Sequence, residues 1–77
     1  MTFTPDQAKA ARELLGWSQT ELANLAFLNS RTIAQFEGSE RRLPYFDLKQ
    51  ITAILEAAGA ELMAEHGAVG VRLRNPR

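Results

Sequence analysis

The sequence predicts a small, mainly α-helical domain of four helices with a short C-terminal β-hairpin. Three kinds of pattern predict this fold. Three capping patterns each open a segment whose apolar residues recur at helical spacing. A fourth segment of this kind runs between Pro44 and Gly59. The last part of the chain alternates apolar and polar residues over short stretches, which is typical of strands.

The first helix is predicted to begin after Thr4, because Thr4 and Gln7 form a capping box around Pro5, which suits the first helical position. Phe3 stands where a staple residue packs back onto the first turn. Gly16 ends the helix, since glycine accepts the left-handed conformation without penalty. The apolar positions of this helix are Ala8, Ala11, Leu14 and Leu15.

The second and third helices are predicted to be short. Ser18 and Glu21 form a second capping box, and Asn29 caps the third helix, which ends at Gly38. Only residues 27–28 connect the two helices, and short helices joined by so tight a turn must cross at a steep angle. The inward positions are Leu22, Ala23, Leu25 and Ala26 on the second helix, and Ile33 and Phe36 on the third.

The fourth helix is predicted from about Tyr45 to Ala58 and is closed by Gly59. Its apolar stripe consists of Leu48, Ile51, Ile54 and Leu55. Residues 60–63 and 69–74 alternate apolar and polar side chains, which predicts two strands of a hairpin with residues 65–68 between them. The chain is therefore divided into a helical domain at residues 1–59 and a hairpin tail at residues 60–77, which is a candidate dimerisation element.

Composition excludes several classes of protein. The chain has no cysteine and a single histidine, which excludes disulfides, thiolate metal sites and histidine metal clusters. Apolar runs fall far short of the ~20 residues that span a bilayer, and the N-terminus lacks the pattern of a signal peptide. The sequence contains no nucleophile-and-base arrangement and no glycine-rich phosphate loop. We expect a cytoplasmic protein that is not an enzyme and needs no cofactor or metal.

Two sequence stretches carry a resemblance to a known family. They are LGWSQTELA at residues 15–23 and NSRTIAQFEG at residues 29–38, followed by the basic pair Arg41 and Arg42. Together they resemble the Xre/Cro/C1-type helix-turn-helix family of phage-repressor-like DNA-binding domains. The resemblance covers residues 4–58, and the tail is similar to that of short bacterial regulators of this family. It implies a compact, lambda-repressor-like fold and a sequence-specific transcriptional regulator.

The resemblance also implies which residues contact DNA. In this family the third helix enters the major groove N-terminus first, and its outward residues reach base edges. Arginine pairs with guanine, glutamine with adenine, and threonine offers a hydroxyl or touches a thymine methyl. A glutamine at the start of the second helix and basic residues after the third helix bind phosphates. The candidate DNA-binding residues are therefore Gln19, Ser30, Arg31, Thr32, Gln35, Arg41 and Arg42.

The charge distribution favours a dimer. The whole chain has a formal net charge of zero, residues 29–49 carry +1, residues 50–66 carry −3 and residues 67–77 carry +3. A DNA-binding domain usually has a basic bias, so we expect a monomer to bind weakly and to need either a second copy or the basic tail. We expect two copies to bind a near-palindromic operator. The residues expected to pair with the twofold mate are Leu62, Met63, Val71 and Leu73.

Other interpretations remain open at the level of sequence. The same fold can serve as an antitoxin or adaptor whose main partner is a protein such as a toxin, and the acidic stretch keeps this alternative open. Without the flanking motif, Arg31, Thr32 and Gln35 would be the solvated face of a small helix. Two residues depart from the family pattern: Phe27 replaces a turn glycine, and Leu43 stands where proline is frequent. Either the turn has another conformation or Phe27 tolerates a strained positive φ.

Overall fold

The computed structural model describes residues 2–63 and 70–74 of the 77-residue chain. These residues form four α-helices followed by an antiparallel pair of strands, as the sequence predicted. The helices are α1 (Pro5–Leu14), α2 (Gln19–Ala26), α3 (Ser30–Glu37) and α4 (Tyr45–Ala57), and the strands are β1 (Ala60–Leu62) and β2 (Val71–Leu73). No helix in this part of the chain is long and apolar enough to cross a bilayer.

The predicted helix starts are confirmed by their side-chain caps. Thr4 and Ser18 each form a reciprocal capping box, with Gln7 and Glu21 respectively. At the start of α3 the Oδ1 atom of Asn29 accepts a hydrogen bond of 2.8 Å from the backbone of the third helical residue. Such caps satisfy backbone N–H groups that a helix leaves without partners. Local sequence therefore determines where these three helices begin.

The core lies where all four helices and the first strand meet. Five of the twelve buried apolar residues in the described part are alanines, so the short helices can approach closely. The N-terminal segment is fixed to this core as predicted: Phe3 is buried, and its N–H donates to the hydroxyl of Thr52 at 3.0 Å. The core residues are Phe3, Ala8, Ala11, Leu22, Ala23, Ala26, Ile33, Phe36, Leu43, Ile51, Leu55 and Ala60.

Two leucines that fit the predicted apolar patterns, one on α1 and one on α2, are not buried. Leu14 is 47% exposed and Leu25 is 49% exposed. The helical repeat explains both, because each leucine lies roughly 100° around its helix from the direction of the buried neighbours. The buried face of α1 instead includes a charged residue, because Arg12 is only 8% exposed.

The turn between α2 and α3 adopts the left-handed conformation at Phe27, with φ 59° and ψ 39°. Of the two predicted possibilities, Phe27 therefore tolerates the strained conformation. The N–H of the next residue, Leu28, donates to the carbonyl of Ala23 at 2.9 Å and closes α2. The phenyl side chain is 88% exposed, so packing of this ring does not offset the strain.

The hairpin shares the helical core. Its register pairs Glu61 with Arg72, and these residues form an ion pair of 2.6 Å on the outer face. On the inner face, Ala60 is buried, and Leu62 and Val71 pack against the core. The predicted strand residue Val69 and the turn 65–68 lie outside the described residues.

Candidate nucleic-acid interface

Helix α3 has one anchored face and one face at the surface. Ile33 and Phe36 are buried, as predicted. Ser30 and Arg31 are exposed, and their side chains have no hydrogen-bond partner among residues 2–63 and 70–74. Gln35 is half-buried at the edge of the exposed face. The first turn of α3 therefore presents polar side chains from a rigidly packed helix.

Thr32 was predicted among the outward side chains of α3, and this prediction is wrong. It is 8% exposed, and both its N–H and its hydroxyl donate to Oδ1 of Asn29, at 2.8 and 3.0 Å. The reason is geometric: Thr32 precedes Phe36 by four residues, so the two side chains lie on the same side of the helix. Thr32 therefore closes the helix cap and does not face outward beside Arg31.

Arg41 folds back onto α3. Its Nη1 atom donates to Oε1 of Gln35 at 3.1 Å and makes a longer contact of 3.4 Å with the hydroxyl of Thr32. Its neighbour Arg42 is exposed and has no hydrogen-bond or ion-pair partner within the described chain. The two arginines of the predicted basic pair therefore differ, since Arg41 lies along α3 and Arg42 is exposed to solvent.

A buried ion pair holds α3 against α1. The carboxylate of Glu37 accepts from Nε and Nη2 of Arg12, at 2.7 and 3.0 Å, and the two side chains are 3% and 9% exposed. The remaining guanidinium nitrogen of Arg12 donates to the carbonyl of Trp17 at 2.7 Å. The hydrogen bond to Glu37 raises the pKa of Arg12 above its ordinary value, although burial acts in the opposite direction.

This ion pair also fixes Gln19. The side-chain Nε2 of Gln19 donates to Oε1 of Glu37 at 3.0 Å, from the first position of α2. A carboxylate only accepts, so the amide nitrogen must face Glu37, and its second N–H remains available for an anion such as phosphate. The structure has Gln19 in the first turn of α2, as the sequence predicted. The sequence analysis missed Arg12, whose only signal was a charged residue beside Ala8 and Ala11 on the apolar face of α1.

Burial of Glu37 makes the surface around α3 more basic than the sequence sum indicates. Glu37 is neutralised by Arg12, which comes from outside residues 29–49. The remaining charges of that segment are four positive, Arg31, Arg41, Arg42 and Lys49, against two negative, Glu40 and Asp47, a net of +2.

Exposed aromatic side chains form a second surface feature, which the sequence analysis did not identify. Tyr45 and Phe46 are 66% and 73% exposed in the first turn of α4, directly after the basic loop. The ammonium group of Lys49 lies 5.5 Å from the centre of the Tyr45 ring, within cation–π range. Phe27 is also exposed, so exposed aromatic residues both precede and follow α3 in the sequence.

Comparison with protein-family models finds no match for this chain, and comparison with curated proteins finds none either. Among the described residues, no three histidine, aspartate or glutamate side chains come together as a metal site. The predicted loop residue His66 lies outside the described residues. Function is therefore inferred from the geometry of α2, α3 and the loop that follows them.

Proposed function

We propose that this protein is a sequence-specific DNA-binding transcriptional regulator of the helix-turn-helix type, similar to the Xre/Cro/C1 family. One observation carries the proposal: Ser30 and Arg31 are exposed and unpartnered in the first turn of a helix whose opposite face is buried. A helix of this kind fits the major groove, with its N-terminal residues at the base edges.

Each side chain near α3 has a distinct part in this proposal. Arg31 is long enough and free to donate two hydrogen bonds to a guanine. Gln19 and Arg42 donate to phosphates, which fixes the position of the protein on the duplex without reading sequence. Thr32 supports the reading face through Asn29 and makes no base contact of its own.

We further propose that two copies bind one near-palindromic operator, with half-sites one helical turn apart, about 34 Å. A net charge of +2 around α3 provides limited attraction to DNA, so a second reading helix raises affinity. The predicted interface side chains Leu62 and Val71 pack on the chain's own core. We therefore assign the dimer contact to the backbone edge of β2 and not to these side chains.

The edge of β2 has the hydrogen-bonding groups that such a contact needs. The backbone N–H of Met63 donates to the carbonyl of Gly70, and the N–H of Arg74 donates to the carbonyl of Gly59. Because hydrogen-bonded and non-hydrogen-bonded pairs alternate along an antiparallel ladder, Glu61 and Arg72 form the hydrogen-bonded pair between these two. Residues 71 and 73 belong to the non-hydrogen-bonded pairs, so their backbone N–H and C=O groups point away from β1. Within the described part of the chain these groups have no backbone partner, and edge groups of this kind are a template for another strand.

Selection of bound sites from a random DNA pool tests the proposal. We expect enrichment of an inverted repeat whose half-sites are one helical turn apart. Recovery of a pool without any enriched sequence, at low and at moderate salt, would contradict sequence-specific binding. The selection also reports symmetry and spacing, so it tests the dimer together with the groove contact.

A protein-interaction module, such as an antitoxin or adaptor, is the second candidate function. The exposed aromatic residues favour it, since Phe27 is 88% exposed and Phe46 is 73% exposed, and aromatic residues are enriched in protein interfaces. A gel-shift assay with genomic fragments at low salt separates the two candidates. The regulator shifts fragments there, whereas a module that binds only protein leaves all of them free.

A further inference from the structure

The contact between Arg41 and Gln35 fixes which chemical groups this part of α3 can offer to a base. Arg41 comes from the loop after α3, and its Nη1 atom lies 3.1 Å from Oε1 of Gln35. The guanidinium group of arginine has donors and no acceptor. The oxygen of the Gln35 amide must therefore face Arg41, and its NH₂ group must face away.

The contact is anchored at a second point. The hydroxyl of Thr32 gives its proton to Oδ1 of Asn29 at 3.0 Å, so its lone pairs are the part that can face Nη1 of Arg41, 3.4 Å away. Asn29 is in turn held by the N–H of Thr32 at 2.8 Å. Arg41 thus lies against α3 along side chains that the helix cap holds in place.

The groups left over are donors. The NH₂ of Gln35, and the Nε and Nη2 atoms of Arg41, have no partner among the residues described in the structure. A free glutamine can accept from the amino group of adenine and donate to its N7 atom. In this structure the guanidinium group of Arg41 already donates to the amide oxygen of Gln35. The amino group of an adenine is therefore disfavoured at this oxygen.

We propose that Gln35 and Arg41 act as one unit that reads guanine and rejects adenine. Guanine presents two acceptors, O6 and N7, in the major groove, which match a donor-only surface, whereas adenine presents an amino group beside N7. This inference rests on the proposed function, since it needs α3 to lie in the groove. It replaces the expectation from sequence that Gln35 pairs with adenine and that Arg41 binds only phosphate.

The test begins with the sites selected by the wild-type protein and by Gln35→Ala. The base position whose preference Gln35→Ala abolishes is the position that Gln35 reads. Dissociation constants are then measured by fluorescence anisotropy on duplexes with guanine or adenine at that position. We expect the wild-type protein to favour guanine roughly tenfold, the discrimination typical of one good bidentate contact.

Two matched variants separate the reading unit from general attraction to DNA. Arg41→Met removes the donors that face Gln35, so the guanine preference falls to about twofold or reverses toward adenine. Arg42→Met removes a neighbouring exposed charge that does not contact α3, so it weakens binding to both duplexes equally and keeps the preference. Circular dichroism verifies that both variants keep the helical content of the wild type.

The outcomes are distinct. A preference for adenine in the wild type, or a guanine preference that survives Arg41→Met unchanged, overturns the inference and leaves DNA binding intact. A wild-type protein that selects no site overturns the proposed function, and this inference with it. Loss of the guanine preference in Arg41→Met alone supports the inference.

Discussion

Phe27 combines strain with exposure, which makes it the clearest residue for a stability test. A bulky side chain in the left-handed region costs roughly 1–2 kcal/mol, and a phenyl ring that is 88% exposed returns little of it through packing. Phe27→Gly removes the strain at the cost of extra freedom in the unfolded chain. We expect a net gain of about 1 kcal/mol in the free energy of unfolding, measured by urea denaturation.

The matched control is Phe27→Ala, which removes the ring but keeps a β-carbon at the same positive φ. Its stability should stay close to that of the wild type. If Phe27→Ala stabilises the protein as much as Phe27→Gly, the backbone strain is not the cause. A loss of stability in both variants would mean that the ring packs against the protein.

Arg31 and Arg42 are both exposed, yet the account gives them different roles. Arg31→Ala should lower affinity for the selected operator by roughly tenfold and relax specificity at one base position. Arg42→Ala should weaken binding about equally to operator and random DNA and reduce the salt slope by about 1. Anisotropy titrations on both duplexes at several salt concentrations measure these effects. Equal losses on the two duplexes for both variants would contradict the assignment of roles.

Residues with a local cause were predictable from sequence, and those with a distant cause were not. Asn29 was predicted as a cap because its partner lies three residues away. Arg12 was missed because its partner Glu37 is 25 residues away. Thr32 was predicted to face outward in part, since nothing in the sequence shows that its hydroxyl turns toward Asn29.

At the scale of elements, the ion pair between Arg12 and Glu37 joins α1 to α3 and helps to fix the position of α3. Removing one partner leaves a buried charge without compensation, which costs about 3–5 kcal/mol. We therefore expect Glu37→Ala to lose a large part of the stability of so small a domain, for which a total of roughly 4–12 kcal/mol is typical. Fluorescence of Trp17, whose carbonyl binds Arg12, provides the signal during urea denaturation.

The double variant Arg12→Met with Glu37→Met is the control for this prediction. It removes both charges and fills the space with flexible apolar side chains, so it should be more stable than Glu37→Ala. A loss of less than about 1 kcal/mol in Glu37→Ala would contradict a structural role for the pair.

The existence and order of the elements were also predictable, because Pro5, Gly16 and Gly59 bound helices through short-range rules. Which side chains of each helix are buried was harder to predict from the sequence. Leu14 and Leu25 fit an apolar periodicity but lie at the margin of the buried faces, and no element within residues 2–63 and 70–74 covers them. The pairing of Arg41 with Gln35 depends on the path of the loop after α3, which the sequence pattern does not fix.

At the scale of the whole molecule, the account predicts a dimer that forms through the edge of β2. Sedimentation velocity at high micromolar concentration should show it. Leu73→Pro removes an outward-facing N–H without removing a bond between β1 and β2, so it should shift the equilibrium toward monomer. Leu73→Ala is the matched control, since it shortens the same side chain but keeps the N–H. A wild-type monomer at all concentrations, or equal behaviour of the two variants, would contradict this interface.

The groove contact of α3 is tested most directly by methylation of the operator with dimethyl sulfate, which modifies N7 of guanine on the major-groove side. The account predicts that bound protein protects the guanine that Arg31 contacts in each half-site, that Arg31→Ala abolishes the protection of this guanine at a concentration that still saturates the DNA, and that Arg42→Ala does not. Bound operator whose guanines all remain as reactive as in free DNA would contradict the placement of α3 in the major groove.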